Sequence, residues 1–169
     1  TVLSAKVISE CLTSNTSLTS VTFDSNSLAD EGANLIARAL EVNKTLLSLS
    51  LRKNAISSEG DLKIAMELVR NANHVVQMFN LRANALNHEC AQAFSSLLLT
   101  TTSLLQLHLG WNDLGDKGAV LLAPALEKNT SLRELSLQSN GITSDGGAPL
   151  ASAAEKNSTL LQLALQGNK

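Results

Sequence analysis

The sequence predicts an α/β solenoid, a curved array of strand–turn–helix units with parallel strands on the concave face and helices on the convex face. Three observations predict it. An asparagine returns at Asn26, Asn54, Asn84, Asn112, Asn140 and Asn168, at spacings of 28, 30, 28, 28 and 28 residues, and a fixed period in this range marks stacked repeats. Ahead of each asparagine, three apolar residues hold the same places: Leu18/Val21/Phe23, Leu46/Leu49/Leu51, Val76/Phe79/Leu81, Leu104/Leu107/Leu109, Leu132/Leu135/Leu137 and Leu160/Leu163/Leu165. The last two of each trio alternate as a strand does, whereas the apolar residues between asparagines recur at helical steps of three and four.

In chain order, residues 1–15 read as the tail of a repeat, with Val7, Ile8, Cys11 and Leu12 on one helical face. Repeats then start near residues 16, 44, 74, 102 and 130, and a partial repeat covers 158–169. Short strands are expected at Ser20–Phe23, Ser48–Leu51, Met78–Leu81, Gln106–Leu109, Glu134–Leu137 and Gln162–Leu165. A turn follows each asparagine, and helices open at the capping residues Asp30, Ser58, Asp116 and Ser144. Two places on stands a small residue, Gly32, Gly60, Gly118 or Gly146, with Cys90 as the exception. The helices are expected to stop at Asn15, Asn43, Asn73, Asn129 and Asn157 by entering the left-handed conformation, with Thr101 breaking the rule. Pro149 falls near a helix start, and Pro124 falls deeper, where it should bend its helix or loosen a turn. The second repeat carries two extra residues around 61–70, expected to lengthen or shift its outer helix. Strands sit ~4.8 Å apart and helices ~10 Å, so the array must curve. Neither end has a polar cap, so the chain reads as one array excerpted from a longer one and continuing at both ends.

The motif Leu-x-x-Leu-x-Leu-x-x-Asn-x-Leu at Leu104–Leu114, followed by Asp-x-Gly-Ala-x-x-Leu-Ala-x-Ala-Leu at Asp116–Leu126, resembles the ribonuclease-inhibitor-like class of leucine-rich repeats. The resemblance covers the whole chain and implies a right-handed horseshoe that binds other proteins. It also implies that the recurring asparagines hydrogen-bond the backbone where the chain leaves each strand. Elementary physics agrees, because a buried turn has backbone groups that no regular ladder pairs. The repeats are similar too to those of NOD-like innate receptors, implying a sensing or autoinhibitory array, and to those of the GTPase activator acting on Ran. Ribonuclease inhibitor itself is a poor match, since its repeats are Cys-rich and its inner face strongly acidic.

Thirteen basic and fifteen acidic side chains give a net charge of −2, which implies no bulk pull toward nucleic acid or membrane. No apolar run approaches the ~20 residues of a bilayer span. Cys11 and Cys90 stand at different phases of the repeat, too far apart for a disulfide, and two free thiols suit a reducing, cytoplasmic setting. His74, His88 and His108 pair with no ligand at metal spacing, and no nucleophile elbow or phosphate-cradling loop occurs, so no metal, cofactor or catalysis is expected. Four glycosylation patterns, at Asn15, Asn43, Asn129 and Asn157, coincide with the helix stops and are accounted for by the repeat.

Function is therefore expected on the inner face, as a scaffold for another protein. The template points Arg52, Met78, Asn80, Arg82, His108 and Glu134 inward, with Lys53 and Trp111 beside them. Trp and Arg are the commonest binding hot spots, and Trp111 is the single Trp of the chain. Gly110 beside it leaves room for a partner's side chain; alternatively, Trp111 lies flat over that gap. The basic Arg52, Lys53 and Arg82 suit an acidic partner surface or a solvated edge.

Overall fold

A computed structural model describes residues 2–70 and 75–169. The elements alternate without exception: α1 (Val2–Ser14), β1 (Ser20–Thr22), α2 (Ala29–Val42), β2 (Ser48–Ser50), α3 (Ser58–Arg70), β3 (Met78–Asn80), α4 (Ala91–Thr100), β4 (Gln106–His108), α5 (Gly115–Lys128), β5 (Glu134–Ser136), α6 (Ser144–Lys156) and β6 (Gln162–Ala164). A 3₁₀ turn, His88–Cys90, leads into α4. The strands form one parallel sheet in the order β1-β2-β3-β4-β5-β6. Their central residues Val21, Leu49, Phe79, Leu107, Leu135 and Leu163 stand in register across it. Each helix packs on the next. This is the α/β repeat solenoid that the 28-residue period requires.

The core runs between sheet and helices as a continuous apolar seam. Leu49, Phe79, Leu107 and Leu135 are fully buried beneath the sheet, and Ile36, Ile64, Phe94, Leu122 and Leu150 meet them from the helices. Toward the ends the seam opens: Val21, Leu163 and Leu165 are partly buried, and Leu161 is 76% exposed. The helices approach closely where the repeat places glycine. A Cβ on Gly146 would come within 2.8 Å of the Asp116 Cα and 3.0 Å of the Ala119 Cβ, and one on Gly60 within 2.8 Å of the Asp30 Cα.

Each recurring asparagine from Asn54 onward ties two turns together. Asn54 Oδ1 accepts from the N–H groups of Asn26 (3.0 Å) and Leu28 (3.3 Å) in the preceding turn. Its Nδ2 donates to the carbonyls of Phe23 (2.9 Å) and Arg52 (3.1 Å). Asn84, Asn112 and Asn168 repeat the pattern: their Oδ1 atoms accept from Asn54 and Ile56, from Asn84 and Leu86, and from Asn140 and Ile142. Asn140 accepts from Leu114 and donates to Leu109 and Gln138.

Three local expectations need correction. The helix-stopping asparagines are extended, not left-handed: Asn43 has φ −69°, ψ 127°, and Asn129 and Asn157 match it. They stop the helix by a second ladder. Asn43 Oδ1 accepts from the N–H groups of Thr45 and Leu46, while its Nδ2 donates back to Leu12 and Asn15. Asn129 and Asn157 do likewise, so the amide nitrogens that a glycan would need are spent on backbone carbonyls. Asn73 lies outside the described residues. Left-handed residues instead flank the first ladder: Ser25, Lys53, Ala83, Trp111, Ser139 and Gly167 just before its asparagines, and Ser27, Ala29, Ala55, Gly115 and Gly141 after them, have positive φ. The N–H groups of Ser25, Lys53, Ala83, Trp111 and Ser139 donate to carbonyls of the following repeat, those of Arg52, Arg82, Gly110, Gln138 and Gln166.

Two helix caps sit one residue earlier than expected, at Ser57 and Thr143; Asn87 caps the 3₁₀ turn, where none was expected, and α2 and α5 have no side-chain cap. Ser57, Asn87 and Thr143 accept from Glu89-type positions two residues on, namely Glu59, Glu89 and Asp145. Asp30 and Asp116 instead reach forward and bind the next repeat's cap residue: Asp30 takes the Ser57 N–H and hydroxyl, each at 2.7 Å. Asp116 takes the Thr143 N–H (2.7 Å) and hydroxyl (2.8 Å), plus the Gly146 N–H (3.0 Å). Those bonds, the backbone one first, hold the Asp116 carboxyl below its ordinary value. Pro149 stands inside α6, beyond its first turn, and α5 runs through Pro124 to Lys128. The helix of the second repeat, α3, is described as far as Arg70, and residues 71–74, with His74, lie outside the description.

Candidate functional site

The open face of the sheet carries the side chains that the strands turn away from the core. Because β2 pairs with β3 as Ser48↔Met78 to Ser50↔Asn80, Arg52 and Arg82 occupy the same column on neighbouring strands. Asp24 precedes them in that column, and Gly110 and Gln138 follow. Together Asp24, Arg52, Asn80, Arg82, His108, Glu134, Ser136 and Gln138 line a hollow of about 460 Å³.

Its charges are unequally satisfied. Asp24 Oδ1 accepts from the Ser50 hydroxyl (2.5 Å) and the Arg52 N–H (3.1 Å). Glu134 accepts from Gln106 Nε2 (3.1 Å) and lies 3.8 Å from His108 Nδ1. Burial holds the His108 imidazole below its ordinary value; Glu134 pulls it up and Arg82 pushes it down. His108 is therefore neutral at pH 7. Arg52 has its Nε buried without an acceptor, which costs about 1–3 kcal/mol for a neutral donor and more for a charged one. Arg82 lies 5.8 Å from the centroid of the Trp111 ring, within range of a cation–π attraction.

Trp111 stands above the hollow, on the turn, 55% exposed. Its φ of 60° throws the side chain outward. The backbone strain belongs to the repeat, since Lys53, Ala83 and Ser139 share it; the choice of a large aromatic there does not. Trp111 therefore packs on Arg82 and does not close the Gly110 gap. Gln138 occupies that gap: a Cβ on Gly110 would come within 2.5 Å of its Oε1, which also pairs with the Ser136 hydroxyl.

The eight residues that the sequence singled out fall in three places. Arg52, Asn80, Arg82, His108 and Glu134 line the hollow. Lys53 and Trp111 are on the turns above it, both exposed. Met78 belongs to a smaller hollow of about 350 Å³, with Leu47, Ser48, Gln77, Leu105, Gln106 and Arg133. Asp24, Ser136 and Gln138 also line the hollow; the template points them inward too, but their residue types did not single them out. Arg133 precedes its strand, and the template gave no signal for it. Cys11 is exposed, Cys90 is buried, and both are free thiols. Among the described residues, no His, Cys, Asp and Glu group could hold a metal ion. No described helix is long and apolar enough to cross a membrane.

A parallel sheet built one strand per repeat, with an asparagine ladder on its exit side, defines a strand–helix repeat protein with one open sheet face. A family model described as "Leucine Rich repeat" matches residues 14–37, 42–65, 101–123 and 128–151, together more than half of the chain, and the chain belongs to that family. No curated protein matches it in sequence. Among solved structures, it is similar to the tropomodulin C-terminal domain of Caenorhabditis elegans, at 19% identity and a TM-score of 0.72, covering 90% of this chain and 92% of that one. It is also similar to a leiomodin-1 structure named "Actin-Binding Site 2", at 17% identity and a TM-score of 0.71, covering 92% of this chain and 88% of that one. At such identities the likeness is one of fold.

Proposed function

We propose that the chain is a non-catalytic scaffold that binds another protein through the open face of its sheet, inside the cell, and that its repeats are of the ribonuclease-inhibitor-like class. One observation carries the reading: an exposed Trp111 on Arg82 stands at the rim of a hollow lined by charged and polar side chains. Hot spots of protein interfaces are enriched in these two residue types. The NOD-like-receptor and Ran-activator readings need a nucleotide-binding domain or an acidic tail outside these residues, whereas the scaffold reading draws on this surface alone. Two free cysteines accord with a reducing compartment.

Photo-cross-linking tests the reading. A photoreactive amino acid placed at Gln106, on the sheet, is compared with one at Lys117, exposed on α5. Purified actin serves as one probe, since the leiomodin-1 structure sharing this fold is named for an actin-binding site; native lysate serves as the other. The expected result is a discrete adduct from position 106 that Trp111→Ala removes. Adducts from position 117 alone would move the interaction to the helices and overturn the reading.

A further inference from the structure

We infer that the hollow receives a carboxylate from an acidic segment of the partner protein, gripped by the guanidinium groups of Arg52 and Arg82, while an adjoining apolar side chain of that segment lies on Trp111. The inference rests on the sheet-face reading above and adds the chemistry of what enters.

The charges of the hollow sort into used and unused. Both carboxylates already accept hydrogen bonds, Asp24 from Ser50 and the Arg52 N–H, Glu134 from Gln106. Neither guanidinium is in an ion pair among the described residues, and Arg52 keeps a buried Nε with no acceptor. The two arginines stand in one column of strands spaced ~4.8 Å apart. Two like charges so placed repel, and an anion between them turns that repulsion into two attractions. The planar fork of arginine suits a carboxylate, which offers two oxygens in matching geometry. Asp24 and Glu134 on either flank offset the positive charge of the hollow as a whole, so the match of the arginine fork to two coplanar oxygens, not net charge, favours a carboxylate. The free face of the Trp111 ring supplies apolar contact beside the anion.

Trp111 is also the reporter, because the chain has one Trp and no Tyr. End-blocked hexaglutamate is titrated against the protein by Trp emission and, independently of the ring, by calorimetry. Hexalysine, inorganic phosphate and a phosphoserine peptide are run alongside. The expected result is saturable binding of hexaglutamate that weakens at least about ten-fold in the Arg52→Gln/Arg82→Gln pair. Raising salt from about 0.05 M to about 0.3 M weakens it several-fold. A charge-reversed pair, Arg52→Glu/Arg82→Glu, exchanges the preference to hexalysine, and each variant is used only after its circular dichroism and melting match the parent. No saturable binding by the parent, equal binding by the glutamine pair, no exchange in the reversed pair, or tighter binding of phosphate or phosphoserine than of glutamate overturns the inference. Failure of hexaglutamate with intact position-106 adducts removes the carboxylate alone; adducts confined to position 117 remove the surface itself.

Discussion

Asn112→Ala tests how the repeats are joined. Asn112 Oδ1 accepts from the N–H groups of Asn84 (3.1 Å) and Leu86 (3.2 Å), and its Nδ2 donates to the carbonyls of Leu81 (3.2 Å) and Leu109 (2.9 Å). Truncation does not leave the carbonyls bare, since Leu81 O also accepts from Asn84 and Leu109 O from Asn140. The two N–H groups lose their acceptor. At about 1–3 kcal/mol for each stranded donor, with water reaching part of the turn, the expected loss is about 2–4 kcal/mol. For a chain of this size each kcal/mol moves the midpoint by about 2–4 °C, so melting should fall by about 5–15 °C. Urea unfolding, followed by far-ultraviolet circular dichroism and by emission of the neighbouring Trp111, measures the difference. Asn112→Asp separates the two halves of the role, because a carboxylate still accepts from both N–H groups and cannot donate. A loss below about 0.5 kcal/mol in the alanine variant would refute the ladder as a source of stability.

Two adjacent glycines should respond in opposite directions. Gly146→Ala forces a Cβ against the Asp116 backbone and is expected to cost about 1–3 kcal/mol, whereas Gly147, with nothing within 4 Å of its Cβ position, should gain about 0.5–1 kcal/mol on conversion to Ala. Chemical denaturation of both variants reads the signs. The depressed Asp116 carboxyl contributes stability that is whole above its ordinary value of 3.8 and is lost as pH falls through its lower folded value. The urea-midpoint gap between the parent and Asp116→Ala should therefore narrow as pH falls from about 5 to about 2. His108 should titrate below 6.5, lower still in Glu134→Gln and higher in Arg82→Gln, as seen in its imidazole NMR shifts. Because the unfolded chain takes up that proton first, its titration removes stability as pH falls below 6.5.

The period, the strands and the inward columns were legible because they follow from steric repetition: alternation within the strands and helical steps between them put Leu49, Phe79, Leu107 and Leu135 in one register. What escaped is set between repeats. Asp30 has the composition of a cap, yet its carboxylate serves Ser57 in the next unit, a choice that depends on how far apart two helices stand. Likewise Asn43 has the residue type of a left-handed stop, but a carbonyl of the preceding repeat offers its amide a better bond in the extended conformation. In the candidate site, Arg52 and Arg82 could be placed by the template. That Gln138 would fill the space beside Gly110, and that Glu134 would turn to Gln106 and His108, depends on rotamers across three strands.

The clasps at each joint face in opposite directions. An asparagine of the later unit closes the turn of the earlier one, while an aspartate of the earlier unit fastens the helix start of the later one, as Asp30 does for Ser57 and Asp116 for Thr143. Ser58 does the same for Asn87 by hydroxyl. At the following seam His88 holds the place of Asp30 and Ser58 and makes no such bond, and the joint is carried by Asn112 with Asn84 and Leu86 and by Asn129 with Leu98. Where both clasps are present, as with Asn54 on Asn26 and Asp30 on Ser57, sliding one unit along the other breaks bonds in either direction, so the array resists shear as well as separation.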